Sequence, residues 1–192
     1  MAMPAETARR WNAREVRELI AAAPLAAPRY ELVDGELLVT PSPAPLHQLA
    51  VTKLILALGA YLEREPIGQV ITSPSDVELE REFISQPDVF VVPLPEWRRV
   101  TREGAPIREL LLTIEVLSPS SSRHDRVRKR PLYQRHVPEY WIVDLDARLI
   151  ERWTPRDDRP EVVTEILSWQ PGGATTPFVL ELSALFSSIF EG

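Results

Sequence analysis

The sequence predicts a single α/β (α+β) domain with a mixed central β-sheet flanked by helices. Two observations carry that expectation. The elements run in the order helix, strands, helix, strand, and the strand-like runs are short, apolar and bounded by Pro, Ser or Gly. The composition agrees: 192 residues, 44% hydrophobic and 26% charged with a net charge of −6, describe one soluble domain over residues 1–192, with residues 1–28 as an N-terminal helical extension. A chain of this length buries roughly 70% of its unfolded surface, so its core needs no cross-links.

Each element follows from local chemistry. Residues 7–23 place Trp11, Val16, Leu19 and Ile20 at helical spacing, and Pro24 and Pro28 end that helix. Tyr30 to Val33 and Glu36 to Thr40 are β-prone runs joined by Asp34-Gly35, a dipeptide that supplies the positive φ angles of a tight hairpin. After the break at Pro41 to Pro45, Leu46, Leu49, Leu54, Ile55, Leu58, Tyr61 and Leu62 predict a long core helix. Val70 to Thr72, Val77 to Leu79, Val89 to Val92 and Leu110 to Leu117 read as strands of one sheet. The Arg-rich segment after Ser122 reads as a helix, with Pro131 predicting a kink or a late start. Tyr140 to Leu145 is a buried strand, Leu149 to Trp153 pairs back on it, Glu161 to Trp169 is one further strand, and Leu182 to Phe190 closes the chain as a helix.

Several function classes are excluded at once. The absence of Cys removes thiol catalysis, Cys-ligated zinc and iron–sulfur clusters, and 7 Gly supply no phosphate-cradling loop of the P-loop kind. Leu46 to Leu62 is interrupted by His47, Gln48, Thr52 and Lys53, too polar a run for a membrane span. With no apolar leader at the N-terminus, the expectation is a cytoplasmic protein. Ser118, Ser120, Ser121 and Ser122 beside His124 and Asp125 imitate a Ser/His/Asp set, but consecutive loop residues do not converge into a triad.

Asp88, at the start of one apolar run, and Glu115, near the end of another, are the informative pair. A carboxylate in a buried strand is costly unless it is paired or binds a cation. Two of them on neighbouring strands point to a hard, oxygen-ligated metal such as Mg2+ or Mn2+, against the alternative that each only pairs with an Arg. All but two of the 22 basic residues are Arg, so Lys53 and Lys129 are exceptions. Arg123 to Arg135 carries six basic residues against one acid, a segment able to meet a polyanion locally.

Pro87-Asp88 followed by Glu115-Val116-Leu117 resembles the signature of the PD-(D/E)XK restriction-endonuclease-like nucleases. Tyr30 to Leu37, His47, Gln86-Pro87-Asp88, Glu115 to Ser120, Asp125 with Lys129 and Tyr133, and Pro138 to Asp144 together resemble the Uma-two family of endonucleases within that superfamily. The resemblance implies a restriction-endonuclease-like core and a DNA phosphodiesterase in which Asp88, Glu115, Glu31 and the Val116 carbonyl hold the metal. Lys129 would position or deprotonate water. It departs from the superfamily at Leu117, where a Lys is usual, and Lys129 on the following helix is the residue able to supply that cation. Glu31 alternates with Val33, so the two share a side of their strand. His47, Arg126, Arg128 and Arg130 are expected to contact phosphates, with Asp76, Gln86, Asp125 and Tyr133 supporting the site. The expected partner is DNA. The rival expectation is a non-catalytic homodimer that keeps the nuclease fold as a scaffold; Trp153, Trp169 and the Phe186 to Phe190 helix could supply its interface, although burial of these residues in the monomer core is the simpler account.

Overall fold

A computed structural model describes residues 9–23, 28–118 and 124–191. Three sheets organise them. The largest has six strands in the order β10-β9-β8-β7-β6-β3, namely β3 (Gly68–Thr72), β6 (Val89–Pro93), β7 (Leu112–Val116), β8 (Tyr140–Asp144), β9 (Leu149–Trp153) and β10 (Glu161–Val163). Only β7 and β8 run parallel, so the sheet is mixed as expected. The second sheet, β2-β1-β5-β4, holds β1 (Arg29–Val33), β2 (Glu36–Thr40), β4 (Val77–Glu80) and β5 (Phe83–Ser85). A separate hairpin pairs β11 (Ile166–Trp169) with β12 (Phe178–Glu181).

The central strands β6, β7 and β8 are mostly apolar and almost wholly buried, because both faces of the large sheet are covered. Alternate residues go to opposite sides. Val89, Val91, Leu112, Ile114, Val116, Trp141 and Val143 pack on one face with α2 (Pro45–Arg64) and α5 (Leu182–Phe190). Phe90, Val92, Tyr140 and Ile142 pack on the other with Leu132 and Tyr133 of α4 (Arg130–His136). Thr113 and Glu115 fall on that second side by the same alternation. α3 (Leu94–Glu103) follows β6 and stops at Gly104, whose φ of 62° is the left-handed value that glycine adopts without strain.

α1 (Ala13–Ala22) begins later than the apolar spacing suggests. Asn12 caps it, accepting from the Glu15 N–H at 3.1 Å while the Glu15 carboxylate accepts from the Asn12 N–H. The expected start at residue 7 lies outside the described residues, as do Pro24 and the sequence from residue 119 to 123, including Ser120, Ser121, Ser122 and Arg123. The hairpin at Asp34-Gly35 forms as expected, with φ of 51° and 78°.

Three sequence expectations are corrected. Val77 to Leu79 does not join the large sheet: β4 folds back on β5 through Arg81-Glu82, and this hairpin pairs with β1 instead. Glu161 to Trp169 is two strands, because the chain bends after Val163 and β11 pairs with β12, a strand not anticipated. α2 is long and apolar enough, by length and composition, to cross a membrane; of the residues that read as too polar, Gln48 and Thr52 sit on its exposed side while Ala50, Leu54, Leu58 and Tyr61 pack into the core.

A buried acid cluster as the candidate active site

In the register of β6 against β7, Val89 pairs with Ile114. Asp88 just precedes β6 and its carboxylate accepts from the Val116 N–H, next to Glu115, so two acids far apart in sequence meet at one end of this strand pair. β1 adds Glu31 and the π-helical turn His124–Lys129 adds Asp125 and Lys129. That turn ends where α4 begins, which places Pro131 in the first turn of α4, where its missing N–H costs nothing. Glu31, Asp88, Glu115, Asp125, Lys129 and His47 are each no more than 5% exposed.

Two linked sets of contacts result. Asp88 accepts from Arg29 Nη1 at 2.8 Å, from His47 Nε2 at 3.0 Å and from the Val116 N–H at 2.9 Å. Burial works against its charge, but the His47 contact, Arg29 and the Val116 amide outweigh it and hold the carboxyl well below the usual range. Lys129 Nζ lies 2.8 Å from Glu31, 3.1 Å from Glu115 and 3.3 Å from Asp125. Tyr133 also donates to Glu115, at 3.2 Å. Burial disfavours the Lys129 ammonium, yet the three surrounding carboxylates more than compensate and push its pKa up. Glu115 is pushed well above the ordinary carboxyl range, first by burial and then by the charges of Asp125, Asp88 and Glu31, against the pull of Lys129.

The supporting residues find defined places. The Gln86 N–H donates to Glu31 at 2.8 Å and its side-chain amide donates to Asp76 at 2.8 Å, so Gln86 ties the two acids together. Val116 contributes its amide to Asp88. Leu117, in the usual Lys position, is packed with Leu132, Tyr133 and Val137 in the second core face.

The basic segment is turned back on the protein. Arg126 bridges Asp144 and Glu151, Arg128 pairs with Glu36 at 3.2 Å, and Arg130 donates to Gln134 with its guanidinium over Trp153. None of the three lies in the acid cluster. Trp153, Trp169 and Phe186 are buried in the monomer core, which removes them from any dimer surface, while Phe190 is partly exposed.

Arg29 is the residue that the sequence reading missed. It lies two positions before Glu31 on β1, so strand alternation places both on one side, and this period was the available signal. Beyond Asp88 it also donates to Ser73 and to the Gln86 carbonyl.

Hard carboxylate oxygens are the donor chemistry of Mg2+ or Mn2+. Glu31, Asp88, Glu115 and Asp125 supply such oxygens from buried positions, with Arg29 and Lys129 among them. The present spacing is another matter. Among the described residues no three His, Asp or Glu side chains are gathered as a metal-ligand set, since Lys129 stands among the acids.

Comparison with known proteins accords with this arrangement. A family model, Uma2, described as a putative restriction endonuclease, matches residues 17–182. The chain belongs to the Uma2 family. Its fold is that of a crystal structure described as a putative nuclease belonging to DUF820 from Anabaena variabilis ATCC 29413, with a TM-score of 0.71 at 21% identity, covering 90% of this chain and 98% of that one. No curated protein sequence matches this Uma2 chain.

Proposed function

We propose that this Uma2 protein is a metal-dependent endonuclease that hydrolyses DNA phosphodiester bonds at the Asp88–Glu115 cluster. The single observation that carries the reading is the gathering of four buried acids at one end of β6 and β7: Asp88 beside the start of β6, Glu115 on β7, and Glu31 and Asp125 sharing Lys129 with Glu115. Carboxylates are expensive to bury unless cations or protons neutralise them. Asp88 and Glu115, with Glu31 beside them and the Val116 carbonyl as a further oxygen, would hold Mg2+ or Mn2+. When bound, the ion supplies Lewis acidity toward phosphate and a more acidic water.

The chain's own residues divide the remaining work. Lys129 is held protonated by its three acids, so of the two roles expected of it, positioning water suits this environment better than deprotonating it. His47, in contact with Asp88 through Nε2, fixes that carboxylate and lies beside the position a phosphate would take. Arg29 keeps Asp88 ionised. Asp125 and Glu31 orient the Lys129 ammonium from opposite elements.

The test is cleavage of DNA, offered both as plasmid and as single strands, with Mg2+ or Mn2+ by the wild type and by Asp88→Asn and Glu115→Gln. The reading requires cleavage that stops with the metal removed and in both variants. Metal-independent cleavage, or variants as active as wild type, would refute it.

A second reading is favoured by one observation: Arg29 and Lys129 already pair with the acids, as they would in a non-catalytic scaffold. That reading expects no cleavage under any metal.

A further inference from the structure

A cavity of about 310 Å³ opens beside Asp88, walled by residues that the proposed chemistry uses only in part. Its polar lining includes Arg29, His47 and Gln86 together with the acids Asp76 and Asp88, and its apolar lining includes Tyr30, Pro41 and Val51. Its volume is near the lower end of the roughly 300–1,000 Å³ typical of small-molecule sites, room for one nucleotide and too little for stacked neighbours.

Both acids are already held, Asp88 by Arg29 and His47 and Asp76 by Gln86, and the Arg29 guanidinium brings a permanent cation to the cavity. His47 is buried on Asp88, and its Nδ1, like Arg29 Nε, has no hydrogen-bond partner among the described residues. Such buried nitrogens are costly unless something pairs with them. α2 starts on Pro45 without a side-chain cap, and its first-turn residues His47 and Gln48 line the cavity, so the positive end of a 20-residue helix faces the same space. Tyr30, also in the lining, supplies an aromatic surface for a base.

Duplex DNA fits this face poorly. Its bases cannot enter a cavity without leaving the stack, and the arginines that could follow two backbones are paired with acids elsewhere. Resting on the nuclease reading, we infer that the cavity holds one unstacked nucleotide, its phosphate toward Arg29 and His47 and its base against Tyr30, which makes single-stranded DNA the substrate class.

The test is fluorescence anisotropy with a short labelled single-stranded oligodeoxynucleotide and a duplex of equal length, Ca2+ replacing Mg2+, with dAMP as competitor. The single strand should bind tighter than the duplex by about tenfold or more, and dAMP should displace it. Tyr30→Leu should weaken single-strand binding by about five- to tenfold. Gln48→Glu, which puts an anion at the mouth, should weaken dAMP competition while leaving the melting temperature equal or higher, since an acid suits a helix's first turn. Equal or tighter duplex binding, no displacement by dAMP, or wild-type affinity in both variants would overturn the inference, even with cleavage intact. Single-strand preference without any Mg2+- or Mn2+-supported cleavage would count against the nuclease and in favour of the pocket.

Discussion

Lys129 Nζ lies 3.1 Å from Glu115 Oε1, although it is carried by a different element and the residue two positions after Glu115 is Leu117. The ammonium has moved from the strand to the following helix. Its burial changes what its loss would do, because three carboxylates lose their shared cation at once.

Lys129→Met should therefore destabilise the protein by about 3–5 kcal/mol, the range for breaking a buried ion pair by removing one partner. Adding Glu115→Gln should recover part of the loss, since the two side chains touch and their effects are not additive. Thermal and urea unfolding of the single and double variants measure this. Equal stability of Lys129→Met and wild type would show that the ammonium is not balancing the acids.

Arg126 holds Asp144 and Glu151 at the surface end of β8 and β9. Changing Arg126, Arg128 and Arg130 to Gln should lower stability by on the order of 1 kcal/mol, with the Arg126 bridge giving most of it. The salt dependence of DNA binding should change by less than the three phosphate contacts that the basic sequence alone suggests. A denaturant titration and a binding series across salt concentrations read the two effects separately.

Much of this was legible in sequence. The Asp34-Gly35 hairpin, the core helix α2 and the buried strand β8 each have a strong local signal, in turn chemistry, helical spacing or an unbroken apolar run. The pairing of β4 with β5 did not, because β5 is three residues long and sheet membership is a tertiary choice. In the site, Asp88 and Glu115 stood out as acids in apolar surroundings. Arg29 did not, since its only signal is the shared side of β1 with Glu31, and one Arg among many is easily passed over until the strand's partner is known. The Arg123 to Arg135 segment misled for the converse reason: its net charge is visible, but Asp144, Glu151 and Glu36 lie elsewhere in the chain.

Glu65 predicts an acid-sensitive contact far from the site. The Thr175 and Thr176 hydroxyls and amides donate to its carboxylate and lower its pKa from 4.5 to about 2. A lowered folded pKa means stability present above pH 4.5 and lost as the pH falls toward 2. Glu65→Gln should be less stable than wild type at neutral pH, and the gap should shrink across that window. Melting curves from pH 2 to 7 check it.

Gly68 begins β3 where a Cβ would stand 2.6 Å from the Val92 carbonyl oxygen. Gly68→Ala should cost about 1–3 kcal/mol through displacement of the β3–β6 edge, as overpacking does in other cores. Chemical denaturation of the variant provides the check.

The most direct test of the central claim is calorimetric titration of Mn2+ into the wild type, Asp88→Asn and Glu115→Gln, with no DNA present. The account predicts saturable binding in the micromolar to low-millimolar range that is lost in each variant, because a hard cation needs both carboxylates. Unchanged Mn2+ binding in both variants, or none in the wild type, would contradict it.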